Sequence, residues 1–152
     1  MRLFLDTNVL TDLIMMRKPW AEAAMGLIDA SQRGACELLV SALALKDASY
    51  IVEESKYAKE RIPDRDKRRK IACKGRELML STCEICTINE VVCRRAQANH
   101  EEPDYDDALI AECALVNGAD VLVSRDKKAF NNLEIPKLSP VDALKLVRAA
   151  SR

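Results

Sequence analysis

Glycine is scarce in this sequence: there are four in 152 residues, widely scattered. Neither a Walker loop nor a Gly-rich dinucleotide fingerprint can be assembled from them, which removes two common phosphate cradles of α/β proteins. Aromatic residues make up only 4% of the chain, too few for a platform on which successive bases stack. The single histidine, His100, lies in a polar stretch and reads as a solvated residue rather than a general base. An excess charge of one sign is also missing, since 24 basic residues meet 24 acidic ones. No global field therefore draws the chain to nucleic acid or to a membrane, and any such attraction must come from local segregation of charge. No apolar run approaches the roughly 18 residues of a membrane span. The first one, Leu3-Phe4-Leu5, stops at Asp6, too early for a signal peptide. The expectation is a soluble, cytoplasmic protein with no membrane partner.

What is present is ordinary globular composition, 49% hydrophobic and 32% charged. The length fits one domain, 1–152, which can bury roughly 70% of its extended surface. Six cysteines (Cys36, Cys73, Cys83, Cys86, Cys93 and Cys113) read as reduced thiols in a chain with no export signal. Cys83-Glu84-Ile85-Cys86 is a lone Cys-x-x-Cys, and a zinc site needs a second pair or histidines at suitable spacing. Met15, Met16 and Trp20 read first as core, with a partner-facing patch as the alternative.

Strand and helix signals alternate. Leu3-Phe4-Leu5, Glu37-Leu38-Leu39-Val40, Glu84 to Ile88, Asp120 to Ser124 and a short run at Pro136-Lys137-Leu138 read as strands. Helices are expected after Asp6, from Pro19 to Gly34, from Ala42 to Ala58, from Asp64 to Leu80, after Asn89, from Asp104 to Asn117, and from Pro140. That alternation predicts an α/β fold with a central, mostly parallel sheet flanked by helices.

Ligands of open parallel sheets bind beyond the C-terminal strand ends. Several acids fall there. Asp6 follows the first strand, Asp126 lies two residues past Ser124, and Asp104, Asp106 and Asp107 share the first turn of one helix. Asp47 sits among Leu43, Ala44, Leu45, Ala48 and Ile51, an unfavourable place for an Asp inside a helix. Carboxylates that converge repel one another and need a cation. Hard divalent ions prefer such oxygen donors, and a metal so held acidifies water and stabilises charge on a phosphodiester. Each acid also has a plainer role. Asp6 can be a helix cap, Asp104 or Asp107 a partner of the helix dipole, and Asp126 the start of a turn.

The whole pattern resembles the PIN domain, the nuclease fold of the VapC-like toxins. Leu3-Phe4-Leu5-Asp6-Thr7-Asn8-Val9-Leu10 is similar to the family's opening motif, and Val40 to Asp47 to its second. Asp106-Asp107-Ala108-Leu109-Ile110-Ala111 resembles the third, and Leu122-Val123-Ser124-Arg125-Asp126 the fourth. The resemblance implies a three-layer PIN-like fold and a ribonuclease dependent on Mg²⁺ or Mn²⁺. In that reading Asp6, Asp107 and Asp126 are metal ligands, and Asp47 joins the catalytic set where the family most often has Glu. Thr7, Asn8, Asp104 and Ser124 support the site. The resemblance further implies an RNA substrate, a homodimer and an antitoxin partner. Two alternatives keep the fold: a housekeeping RNA-processing nuclease, and a metal-free PIN-like binding module. A receiver-type phosphoryl-transfer domain is disfavoured, because the usual pair of acids after the first strand is absent.

The stretch from Lys56 to Arg76 concentrates positive charge. It reads either as a solvated helical pair or as a phosphate-binding rim, with Arg65, Arg68 and Arg69 as RNA contacts.

Overall fold

The computed structural model describes residues 1–151. The chain runs β1 (Arg2–Leu5), α1 (Thr7–Ile14), α2 (Trp20–Gln32), β2 (Glu37–Ser41), α3 (Ala42–Glu54), α4 (Lys56–Arg61) and α5 (Arg65–Thr82). It continues with β3 (Cys83–Cys86), α6 (Glu90–Ala98), α7 (Tyr105–Val116), β4 (Val121–Val123), β5 (Lys137–Leu138) and α8 (Pro140–Ala150). All strand pairings are parallel, so the sheet is wholly parallel rather than mostly so.

The strand order is β3-β2-β1-β4-β5. From the centre, β1, the chain steps outward through β2 and β3, then returns to the other side of β1 with β4 and β5. The direction of winding therefore reverses between β1 and β4. Helices leaving two adjacent strands in opposite directions open a crevice at their C-terminal ends. Leu5 pairs with Val123 in register, so Asp6 and Ser124 emerge side by side there.

The strands read as continuous apolar runs because helices flank the sheet. Leu3, Phe4, Leu38, Leu39, Val40, Leu122 and Val123 are all buried, each larger side chain contributing about 1.5–3 kcal/mol. The helix starts follow from side-chain caps. Ser41, Asp64, Asn89, Asp104 and Ser139 each accept a backbone N–H of the first turn they open. At Gly75 a Cβ would fall 2.6 Å from Ile14 Cγ1, so the missing side chain lets α5 lie directly against α1.

Three expectations are corrected. The strand expected over 84–88 is Cys83–Cys86. The helix expected over 42–58 breaks at Ser55, whose extended backbone (φ −63°, ψ 151°) lets its side chain accept the Ala58 N–H and start α4. The third concerns Arg68, expected at a surface rim. It is only 5% exposed. Its Nε donates to the Glu53 carbonyl at 2.7 Å, and one terminal nitrogen donates to those of Ile62 and Pro63 at 2.7 and 2.8 Å. Arg68 thus satisfies carbonyls left open where α3 ends and where α4 meets α5, and its guanidinium is not free for RNA. Arg65 and Arg69 are exposed on α5.

Candidate active site

A cleft of about 490 Å³ opens at the reversal point. Its lining includes Asp6, Thr7, Asn8, Asp47, Asp106, Asp107 and Asp126, with Arg17 and Arg125 among the other residues. Four sequence-derived candidates, Asp6, Asp47, Asp107 and Asp126, thus face one space although they come from β1, α3, α7 and the loop after β4. Asp106 joins them. Asp104 does not line the cleft; it caps α7 by accepting the Asp107 N–H at 2.9 Å. Arg65 and Arg69 do not line it either.

Asp6 is both a cap and a buried anion. Its side chain is bound from three directions, accepting the Thr7 N–H on one oxygen and the Asn8 amide and Ser124 hydroxyl on the other. Ser124, itself buried, donates to Asp6 at 2.7 Å while accepting from Asn8 and from the Asp126 N–H at 3.0 Å each. Asn8 in turn accepts the Arg125 N–H. This network pins the end of β1 to the end of β4. Burial pushes the Asp6 carboxyl up to about 6, against the opposing pull of the Ser124 and Thr7 hydrogen bonds.

Asp107, at the start of α7, is also pushed up to about 6. Burial is the largest cause, and the charges of Asp104, Asp6, Asp126 and Glu102 follow. Asp126 behaves oppositely. It is exposed, and the Lys128 and Ala129 N–H groups that it accepts hold its carboxyl below the ordinary range. Asp126 therefore makes the turn foreseen for it while keeping its charge in the cleft. Asp47 is half-buried and paired with Lys46 at 2.8 Å.

Reading the sequence missed the cationic wall. Asp12 on α1 is fully buried and binds Arg125 through both of its oxygens, and Arg17 at 3.4 Å. A buried carboxylate without a partner is untenable. The clue lay in an acid among Val9, Leu10, Leu13 and Ile14, but its partner is 113 positions away.

The six cysteines are free thiols. Burial pushes Cys83 and Cys86 up to about 12 and 11, as expected for core thiols. Among the described residues, no three His, Cys, Asp or Glu side chains are grouped so as to ligate one ion together. Mg²⁺ and Mn²⁺ sites in phosphoryl chemistry use one or two carboxylates, with water and phosphate completing the shell. A cleft whose acids are oxygen donors only, one of them buried and several mutually repelling, fits such a hard cation.

The PIN-domain family model matches residues 2–128. The chain belongs to the PIN-domain family. No curated protein gives a significant match. Among solved structures, this PIN domain resembles PAE2754 from Pyrobaculum aerophilum with a TM-score of 0.64 and 18% identity, over 97% of this chain and 96% of that one. It also resembles VapBC2 from Rickettsia felis, solved bound to a promoter DNA fragment, with a TM-score of 0.60 and 18% identity, over 91% and 98% of the two chains. VapC20 from Mycobacterium tuberculosis, a toxin that cleaves the sarcin-ricin loop, matches with a TM-score of 0.58 and 13% identity, over 79% and 86%. At these identities the likeness is one of fold. No helix among the described residues of this PIN domain is long and apolar enough to cross a membrane.

Proposed function

We propose that this PIN domain is a divalent-metal-dependent ribonuclease and the toxin of a toxin–antitoxin pair. The observation that carries the nuclease reading is the convergence of Asp6, Asp47, Asp106, Asp107 and Asp126 on one cleft with Arg17 and Arg125 at its wall. Negative charge held at the cost of raised carboxyl pKa values has little use in a fold unless something positive binds there. The toxin reading rests on the likeness to VapBC2 and VapC20. An antitoxin that covers the cleft and a second copy of the chain are the expected protein partners.

In this reading Asp6, Asp107 and Asp126 surround the Mg²⁺ or Mn²⁺ site, one or two of them ligating directly and the rest through water, and Asp47 and Asp106 complete the negative wall. When bound, such a cation supplies Lewis acidity toward the phosphate and lowers the pKa of water. The chain's own work is positional. Ser124, Asn8 and the Thr7 N–H fix the Asp6 carboxylate. Arg125 and Arg17, anchored on Asp12, present guanidinium donors suited to phosphate oxygens. Asp6 and Asp107 are both ionised above about pH 6, so cation binding strengthens as pH rises through that value.

The test is calorimetric titration of Mn²⁺ into wild type and Asp107→Asn, with cleavage of single-stranded RNA followed on the same samples. Wild type is expected to bind and cleave, and the variant to lose about a hundredfold or more in rate. Cleavage in EDTA, or an unimpaired variant, refutes the metal site. Metal binding without any cleavage favours the binding module. Growth arrest on expression, relieved by a neighbouring gene, separates a toxin from a housekeeping nuclease.

A further inference from the structure

A second pocket, of about 560 Å³, adjoins the acidic cleft and shares Arg17 and Arg125 with it; Met16, Lys18, Trp20, Tyr57 and Arg61 complete its lining. It is formed by the α1–α2 connection, α4 and the residue after Ser124. Its arginines sit against its aromatic rings. Arg17 lies over the Tyr57 ring at 4.1 Å and Arg61 at 5.0 Å, while Arg125 lies over the Trp20 ring at 4.6 Å. Two of the chain's six aromatic side chains thus meet beside the cleft, although the composition offers no extended stacking platform.

Charge in this pocket is unbalanced. The carboxylate bonded to its arginines is Asp12, and Glu22 reaches Lys18 at the exposed rim. Arg17 Nε is buried and has no acceptor among the described residues. Arginine planes and aromatic rings together are what single-stranded RNA uses: unstacked bases lie on rings and guanidinium planes, and phosphates take the N–H groups. An acidic peptide would pair with the arginines alone, whereas the Trp20 and Tyr57 rings beside them add the flat faces that a base uses.

We propose that the Trp20–Tyr57–Arg17–Arg61 pocket is a nucleotide subsite. It takes the base and phosphate of the residue next to the phosphodiester held in the acidic cleft, and so sets which stretch of single-stranded RNA is presented. This rests on the nuclease reading for the neighbouring cleft, but its test does not use the metal.

The test measures fluorescence anisotropy of the full chain in EDTA with two labelled probes. One is a single-stranded RNA octamer, and the other is an abasic ribose-phosphate octamer of equal charge. Wild type is expected to bind the base-bearing probe about tenfold more tightly, the value of stacking one base. Tyr57→Phe keeps that preference. Tyr57→Leu, which retains apolar bulk without a π face, loses it. Arg61→Ala weakens both probes and flattens the salt slope by about 0.7. Equal affinity of wild type for the two probes overturns the subsite, and this comparison needs no variant to fold. An Asp/Glu-rich octapeptide that displaces RNA at lower concentration than RNA itself also overturns it, in favour of a protein partner. Metal-dependent cleavage that persists without any base preference removes the subsite and leaves the nuclease. Absence of both RNA binding and cleavage removes the two together.

Discussion

Replacing Asp6 by Asn should stabilise the metal-free protein while removing a proposed metal ligand. Burial pushes the folded-state carboxyl up to about 6 from its ordinary 3.8. A shift of that size corresponds to about 3 kcal/mol of destabilisation when the group is charged. The sign is that of a raised acid: the folded state holds the proton more tightly than the unfolded one between those two values. Stability from this group therefore falls as pH rises from about 4 to about 6 and stays low above that. An amide escapes this cost. With its oxygen placed where the Asp6 oxygen accepts from Asn8 and Ser124, it keeps both of those bonds. Its nitrogen then faces the Thr7 N–H, which loses its acceptor, a loss of about 1 kcal/mol. The expected net gain is about 2 kcal/mol at pH 7.5, or about 4–8 °C in melting temperature for a chain of this length. Thermal unfolding in EDTA at intervals from pH 4 to 8 measures it. The gain should grow between pH 4 and 6 and then level off. Mn²⁺ should raise the melting temperature of wild type far more than that of the variant. A variant less stable than wild type at pH 7.5, or a difference independent of pH, refutes the reasoning.

Two further outcomes follow from charges set inside the fold. Arg68→Met should destabilise by about 2–4 kcal/mol, because the Glu53, Ile62 and Pro63 carbonyls lose their donors; exposed Arg65→Ser and Arg69→Ser should each change stability by less than about 0.5 kcal/mol in urea unfolding. Asp12→Asn should cost about 3 kcal/mol, since Arg125 and Arg17 lose their carboxylate; a melting temperature within about 2 °C of wild type would show that this pair carries little of the fold.

The parts of the site that could be read in advance are those where function and local structure coincide. Leu3-Phe4-Leu5 stops at an acid, so strand end and cleft carboxylate are adjacent letters. The same holds for Val121–Val123 followed by Ser124 and Asp126, and for Asp107 at a helix start. What escaped is held by long-range pairing. The Asp12–Arg125 pair joins positions 113 apart, and Arg68 reaches back to residue 53. The break at Ser55 was masked because Ser is neutral enough to sit inside a helix, and only the chain's need to turn selects its capping conformation. A charge count over Lys56 to Arg76 cannot separate Arg68 from Arg69, yet one is a buried staple and the other a solvated side chain.

Asp12 gives the clearest account of why opposite charges stand side by side here without cancelling. Arg125 sits between Ser124 and Asp126 in sequence, and its backbone N–H is already tied to Asn8 in the acidic network. A free guanidinium at that point would turn onto the cleft carboxylates, because a charge-assisted pair in a partly buried cleft is strong. The cleft would then hold an ion pair and little field for a cation. Asp12, buried beneath α1, takes both of the Arg125 bonds and one from Arg17. It draws the guanidinium groups toward Trp20 and Tyr57 instead. The carboxylates keep their mutual repulsion, which adds to burial in raising Asp107, and the arginines keep donors for phosphate. The proposed binding of a phosphodiester with a divalent cation on one side needs that separation of signs, which the fold maintains with one fully buried acid outside the proposed ligand set.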